Sequence, residues 1–329
     1  MDQPISTERR WQNRGIISIP RIPDIPGNTV IALDVHGTLI SRNQADDLGV
    51  VQTFRQLISR PATESGAKVI LVSAAPTREL QRVASLLDLG NQPAVAELGH
   101  VIMPAVLAAP PGLASGVTDE LYRALLDLKR WLGVEGLPPG IFLEPKTVLV
   151  TLNCSQASQE RDRLAELIQG YIDERGLPLY VSMSDATLDV GIAGLNKASG
   201  LATVMTSLGA GAAGVNIVAV GDSRNDLDLL KVASAGLCGC PANSHPTVKD
   251  FVRAQGGVVT EQPNLAGTLD ALSQLIERMS GRRVRVGREE AARVSPATSS
   301  RSRRRIRRHS LPPTFYLKMR AIEGALITR

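Results

Sequence analysis

Cysteine is scarce in this chain: its 329 residues include only Cys154, Cys238 and Cys240. Three cysteines so far apart cannot build a disulfide framework. Cys238-Gly-Cys240 lacks the partner ligands that a zinc site needs. A reducing cytosol is therefore the expected compartment. No apolar run approaches the roughly 20 residues needed to span a bilayer, so no membrane partner is expected. The first residues carry Arg9, Arg10, Arg14 and several prolines, and lack the continuous apolar stretch of a secretory signal. There is no internal repeat. These absences leave a soluble, cytoplasmic protein as the expectation.

What is present has the balance of a globular protein, with 43% hydrophobic and 21% charged residues. The length admits two domains, or one domain with tails. The net charge of +5 is unevenly spread: residues 282–329 hold 14 Lys/Arg against 3 Asp/Glu, and the rest of the chain 23 against 29. The tail and the folded part are thus separate objects. Ser300-Arg-Ser-Arg-Arg-Arg-Ile-Arg-Arg-His309 is low-complexity sequence that cannot bury a core, so a basic disordered tail is expected over 282–329. Nucleic acid or another acidic partner would be met only through this tail, by phosphate contacts. Phe315 and Tyr316 lie beyond the arginines, so base stacking is not expected. Residues 1–27, with Pro4, Pro20, Pro23 and Pro26, read as an extended leader.

Between these ends, strand and helix patterns alternate. Val30, Ile31 and Leu33 precede Asp34 in a short apolar run rich in β-branched residues, which predicts a buried strand. The spacing of Leu48, Val51, Phe54, Leu57 and Ile58 predicts a helix over 46–59. Further strands are predicted over 68–73 and 93–99, with a helix over 77–89 between them. This βαβαβ order implies a parallel sheet with right-handed crossovers. After a Pro/Gly/Ala linker at 108–116, the rhythm changes to a helix over 118–132, a strand over 147–153, a helix over 159–175, and strands at 179–183 and 187–192. Such an insertion between the halves of a sheet suggests a lid. The parallel pattern then resumes with a helix from Lys197, a strand over 216–222, a helix over 225–232, short closing strands near 236–240 and 257–260, and a last helix over 265–279.

Three of the apolar strands end in polar groups: Asp34, Ser73 and Asp222. In a parallel sheet these ends share one edge, which is where open α/β sheets bind ligands. Lys197 opens a helix, and Gly221-Asp222-Ser-Arg-Asn225-Asp226 follows the strand that ends in Asp222. With Asp34-Val-His36-Gly37-Thr38-Leu39, these segments resemble, in order and spacing over roughly residues 29–275, the four motifs of the haloacid dehalogenase-like (HAD) phosphohydrolases. The inserted segment is similar in position and length to the type C2 cap of their Cof-like branch.

The resemblance implies a Rossmann-like α/β core (28–103 and 188–281) with an inserted α/β cap (104–187). It also implies a phosphatase that forms an aspartyl phosphate on Asp34 and uses Mg²⁺. On this pattern Asp34, Asp222 and the main-chain carbonyl of His36 would hold the metal, and Asp226 would assist from behind. Lys197 would offset charge in the transition state. Ser73, Asn225 and the amides around Gly37 and Thr38 would bind phosphate. The cap implies a small phosphorylated metabolite, especially a sugar phosphate. Arg78, Glu144, Lys146, Ser182 and Ser184 are candidates for substrate contact, with solvated surface positions the plainer reading of each.

The chain departs from the pattern in one place that matters. The usual motif carries Asp two residues after the nucleophile, and here that position is His36. Imidazole can donate and accept a proton near neutral pH, so His36 is expected to take over the acid/base work. The alternative is a catalytically impaired HAD-fold binding or regulatory protein. A smaller departure is Ser73-Ala-Ala-Pro-Thr-Arg78, which lacks the glycine usual after the hydroxyl residue.

Overall fold

Strand β1 (Thr29–Leu33) buries all of its side chains. Ile31 and Leu33 join one hydrophobic core with Phe54, Ile58, Leu80 and Val83, while Val30 and Ala32 join another with Leu201, Val204, Leu229 and Leu230. A strand buried on both faces belongs in the middle of a sheet that helices cover on both sides.

The computed structural model describes residues 24–41, 48–184, 186–209 and 214–293. After β1 come α1 (Leu48–Phe54), a π-helical turn (Arg55–Ser59), α2 (Arg60–Ser65), β2 (Lys68–Val72) and α3 (Thr77–Leu87). Next are β3 (Ala94–Ala96), a 3₁₀ turn (Glu97–Gly99), β4 (Val101–Met103) and β5 (Gly112–Leu113). The middle of the chain supplies α4 (Asp119–Glu135), β6 (Phe142–Leu143), β7 (Val150–Asn153), α5 (Ser158–Glu174), β8 (Leu179–Met183) and β9 (Thr187–Ile192). Then follow α6 (Lys197–Ser207), β10 (Asn216–Val220), a 3₁₀ turn (Arg224–Asp226) and α7 (Leu227–Lys231). The last elements are β11 (Cys238–Cys240), α8 (Pro246–Ala254), β12 (Val258–Val259) and α9 (Asn264–Arg293).

The larger sheet has the order β12-β11-β10-β1-β2-β3-β4-β5, parallel as far as β3, with β4 and β5 added antiparallel. The smaller sheet, β6-β7-β9-β8, is antiparallel throughout. This is the expected α/β class: a parallel-dominated sheet with an inserted α/β element. No helix among the described residues is long and apolar enough to cross a membrane.

Several boundaries differ from the sequence reading. The smaller sheet closes at Ile192, so the expected boundary at 187 falls on the first residue of its last strand. The stretch at 108–116 is not only a linker, because β5 lies in it and pairs with β4. Helix α9 continues to Arg293, past the expected end at 279. Beyond 279 the first proline is Pro296, and Gly281 and Gly287 within the extension each cost only about 1 kcal/mol. Residues 1–280 and 281–329 form separate units. Of the second, only the helical backbone to Arg293 is described. The leader expected over 1–23, the helix start at 46 and the tail over 294–329 lie outside the described residues.

Two buried residues tie the sheets together. Glu97 and Leu98 both adopt left-handed backbone, at φ 50° and 54°, a conformation that costs a non-glycine residue of order 1–3 kcal/mol. The Glu97 side chain, fully buried, accepts hydrogen bonds from the backbone amides of Thr147, Val148 and Leu149 at 2.8, 2.8 and 3.0 Å. His100 sits between its own turn and β9: its Nδ1 donates to the Glu97 carbonyl at 2.6 Å and its Nε2 accepts from Ile192 N at 2.9 Å. Burial lowers the pKa of His100, in keeping with a neutral ring that donates at one nitrogen and accepts at the other.

Candidate active site

Register brings the predicted residues to one edge. Leu33 pairs with Leu71 on one side and Val220 on the other, so Asp34, Ser73 and Asp222 leave their strands at the same end. Lys197 reaches that edge from the first turn of α6, whose N-terminus is fixed by a capping box between Asn196 and Ser199. Its Nζ lies 2.5 Å from Asp34 Oδ1 and 2.5 Å from Asp226 Oδ1. All three side chains are almost wholly buried. Burial alone would lower the pKa of Lys197, but the Asp226 and Asp34 carboxylates outweigh it and hold the ammonium above the ordinary lysine value. The ammonium stays charged.

Asp222 completes a carboxylate cluster. Oxygens of Asp34, Asp222 and Asp226 lie within 4.8 Å of one another. Thr38 Oγ1 stands between two of these groups, 3.3 Å from Asp34 Oδ2 and 3.2 Å from Asp222 Oδ1. Burial pushes the Asp222 carboxyl up, and the Asp34 and Asp226 carboxylates add to the effect, to about 8. Three carboxylates against one ammonium leave excess negative charge in a closed space. A set of hard oxygen donors with such an excess fits a divalent cation such as Mg²⁺. Asp226 is committed to the protein. Its Oδ1 holds Lys197, and its Oδ2 accepts from Asp222 N, Ser223 N and Ser223 Oγ at 3.1, 2.8 and 2.8 Å.

Close approach explains two glycines. Gly37 has φ +83°, and a Cβ there would run into the Asp222 carboxylate; a Cβ on Gly221 would run into the Asp226 side chain. The Gly37 amide is not free for phosphate, because it donates to the Ile40 carbonyl at 2.8 Å. Gly37 therefore contributes shape rather than the expected donor. Asn243 and Thr268, which the sequence reading passed over, clamp this loop. Asn243 Nδ2 donates to the Gly37 carbonyl and Thr268 Oγ1 to the Thr38 carbonyl, both at 2.7 Å.

The remaining candidates separate. Ser73 is buried, and its Oγ accepts from Ala75 N at 3.2 Å. Asn225 Oδ1 accepts from Ser182 Oγ at 3.3 Å, which joins the motif turn to β8. Ser184 is spent within the β8–β9 turn on Thr187 and Ala186, and Arg78 is exposed. The imidazole of His36 pairs with a residue outside the carboxylate cluster. Its Nε2 lies 2.7 Å from Glu79 Oε1, a partner the sequence reading did not name.

His36 and Glu79 open onto a cavity of 190 Å³ whose far wall is Glu144, Lys146, Asn153, Thr187 and Asp189 of the smaller sheet and its approach. Lys146 is buried there, with Nζ 2.7 Å from Thr151 Oγ1, 3.2 Å from Glu144 Oε2 and 3.7 Å from Asp189 Oδ1. A second cavity of 440 Å³ borders Lys197 and Asn225 and is lined also by Tyr180, Ser182 and Arg224.

Residues 143–271 match the family described as haloacid dehalogenase-like hydrolase. The chain is 25% identical over 256 residues to a phosphoglycolate phosphatase of Methanopyrus kandleri, covering 76% of this chain and 98% of the relative. A phosphoglycolate phosphatase of Methanococcoides burtonii is 25% identical over 214 residues, 65% of this chain and 84% of the relative. Among solved structures, the sucrose-phosphatase of Synechocystis in complex with sucrose and phosphate shares the fold at a TM-score of 0.55 and 15% identity, covering 75% of this chain and 98% of that chain.

Proposed function

We propose that this protein is a haloacid dehalogenase-like hydrolase, a Mg²⁺-dependent phosphomonoesterase that works through an aspartyl phosphate on Asp34, in the cytoplasm. The observation that carries the reading is the Lys197 ammonium held between the Asp34 and Asp226 carboxylates, with Asp222 beside them. Asp34 and Asp222, with the main-chain carbonyl of His36, would hold the metal. Mg²⁺, when bound, supplies positive charge that lets an anionic carboxylate approach an anionic phosphate.

An Asp34 carboxylate oxygen attacks phosphorus, and the bond from phosphorus to the leaving oxygen breaks. His36 gives that oxygen its proton. In the second half, His36 takes a proton from water as the water attacks the phosphoryl group. The bond from phosphorus to Asp34 then breaks, releasing phosphate and restoring the carboxylate. Lys197 fixes the orientation of Asp34 and offsets charge as it builds up. Asp226 keeps Lys197 and the Asp222 loop in place, and Ser73, Thr38 and Asn225 would serve as donors to the phosphate oxygens.

The substrate proposed is a small phosphorylated metabolite, with a sugar phosphate favoured. The relatives are named phosphoglycolate phosphatases, and the structural neighbour a sucrose-phosphatase. Beside Ala74, Ala75 and Pro76, the cavity next to His36 presents polar side chains, among them Glu144, Asn153 and Thr187, that suit hydroxyl groups. The test is Mg²⁺-dependent phosphate release from a panel of phosphosugars and phosphoglycolate. Activity is expected, and Asp34→Asn should abolish it. A wild-type protein that is inert while His36→Asp is active would refute His36 as the acid/base group.

A further inference from the structure

The pairing of His36 with Glu79 has a consequence for the acid/base step. A carboxylate can only accept a hydrogen bond, so the 2.7 Å contact requires Nε2 of His36 to be the donor. Proton exchange with a substrate then falls to Nδ1. Glu79 comes from the first turn of α3, which packs Leu80, Val83, Ala84 and Leu87 into the core, so the carboxylate is delivered on a rigid element. The helix follows directly after the Ser73 loop, and both partners face the cavity across from Glu144 and Lys146. With side-chain exposures of 17% and 32%, the pair is shielded but open to a ligand.

We propose that Glu79 is the positioning residue for His36: it fixes the tautomer and aims the ring at the leaving oxygen, so that a histidine–glutamate pair stands in for one carboxylic acid. The proposal rests on the phosphatase reading and on His36 as its acid/base group. Glu79 acts only through the ring, by orienting the nitrogen that gives up and regains the proton.

A pair of esters isolates this role, because an alkyl leaving group needs a proton and p-nitrophenolate does not. Protonation by a positioned group contributes about 10²–10⁴-fold, so Glu79→Ala should lower kcat for an alkyl phosphate by about 10- to 100-fold. It should change kcat for p-nitrophenyl phosphate by much less. Glu79→Gln, which keeps an acceptor oxygen, should recover most of the loss. In a His36→Ala background, Glu79→Ala should cost nothing further. Equal losses on both esters, or a further loss in the His36→Ala background, would overturn the assignment. So would wild-type kinetics in Glu79→Ala. A wild-type protein inert towards both esters would overturn the phosphatase reading, and this assignment with it. Circular dichroism and melting of each variant separate these outcomes from misfolding.

Discussion

Replacing Glu97 with alanine tests how the two sheets are held together. The carboxylate is fully buried and receives the amides of Thr147, Val148 and Leu149 at 2.8, 2.8 and 3.0 Å. Each hydrogen bond to a charged acceptor contributes roughly 1.5–3 kcal/mol, partly offset by the cost of burying the carboxylate. Removing one side of a buried charged network costs about 3–5 kcal/mol, which sets the expected loss for Glu97→Ala. At about 2–4 °C per kcal/mol for a unit of this size, the melting temperature should fall by about 6–20 °C. Glutamine should not rescue the variant. Its carbonyl can serve either the Thr147 amide or those of Val148 and Leu149, and in both orientations its NH₂ faces the remaining backbone N–H, donor against donor. Urea denaturation gives the free energy, and hydrogen exchange at residues 147–149 shows whether those amides open. A loss under about 1 kcal/mol with unchanged protection of the three amides would refute the reasoning.

Other expectations follow from single features. Phe54 is fully buried in the core beneath β1, so Phe54→Ala should cost about 3–5 kcal/mol by chemical denaturation. Gly37→Ala and Gly66→Ala share a left-handed φ of 83°, but only at Gly37 does the Cβ meet the Asp222 carboxylate, so Gly37→Ala should abolish phosphate release while Gly66→Ala, whose Cβ meets open space, loses some stability and keeps its activity. In metal-free protein the Asp222 carboxyl is raised from 3.8 to about 8, so between those values the folded state holds a proton that the unfolded chain has lost. Stability should therefore be greatest near pH 4 on this account and decline as pH rises through 8, seen as a falling melting temperature that saturating Mg²⁺ restores.

The strands that place the site were legible because each is a short apolar run closed by one polar residue. Asp34, Ser73 and Asp222 could be placed on one edge from that pattern alone, and Lys197 and Asp226 followed from the resemblance of their segments to the motifs of a known family. What escaped the reading depends on distant partners or on short elements. Glu79 gains its role only by meeting His36 across 43 positions. Glu97 looked like part of a strand, yet its backbone turns left-handed and its side chain seizes amides about 50 positions on. Asn243 and Thr268 reach the motif loop from more than 200 positions away. Strands β4 and β5, of three and two residues, are too short to show a period. Helix α8 opens at Pro246 after a loop and buries only Val248 and Val252, too little apolar sequence to stand out.

The nucleophile can be tested directly by trapping. Trifluoroberyllate imitates a phosphoryl group on a carboxylate, and its capture can be followed by ¹⁹F NMR or seen in a crystal grown with Mg²⁺. Beryllium should bond to an Asp34 carboxylate oxygen next to the Lys197 ammonium, and Asp34→Asn should show no capture. Absence of binding to the wild-type protein, or equal binding to Asp34→Asn, would contradict the account.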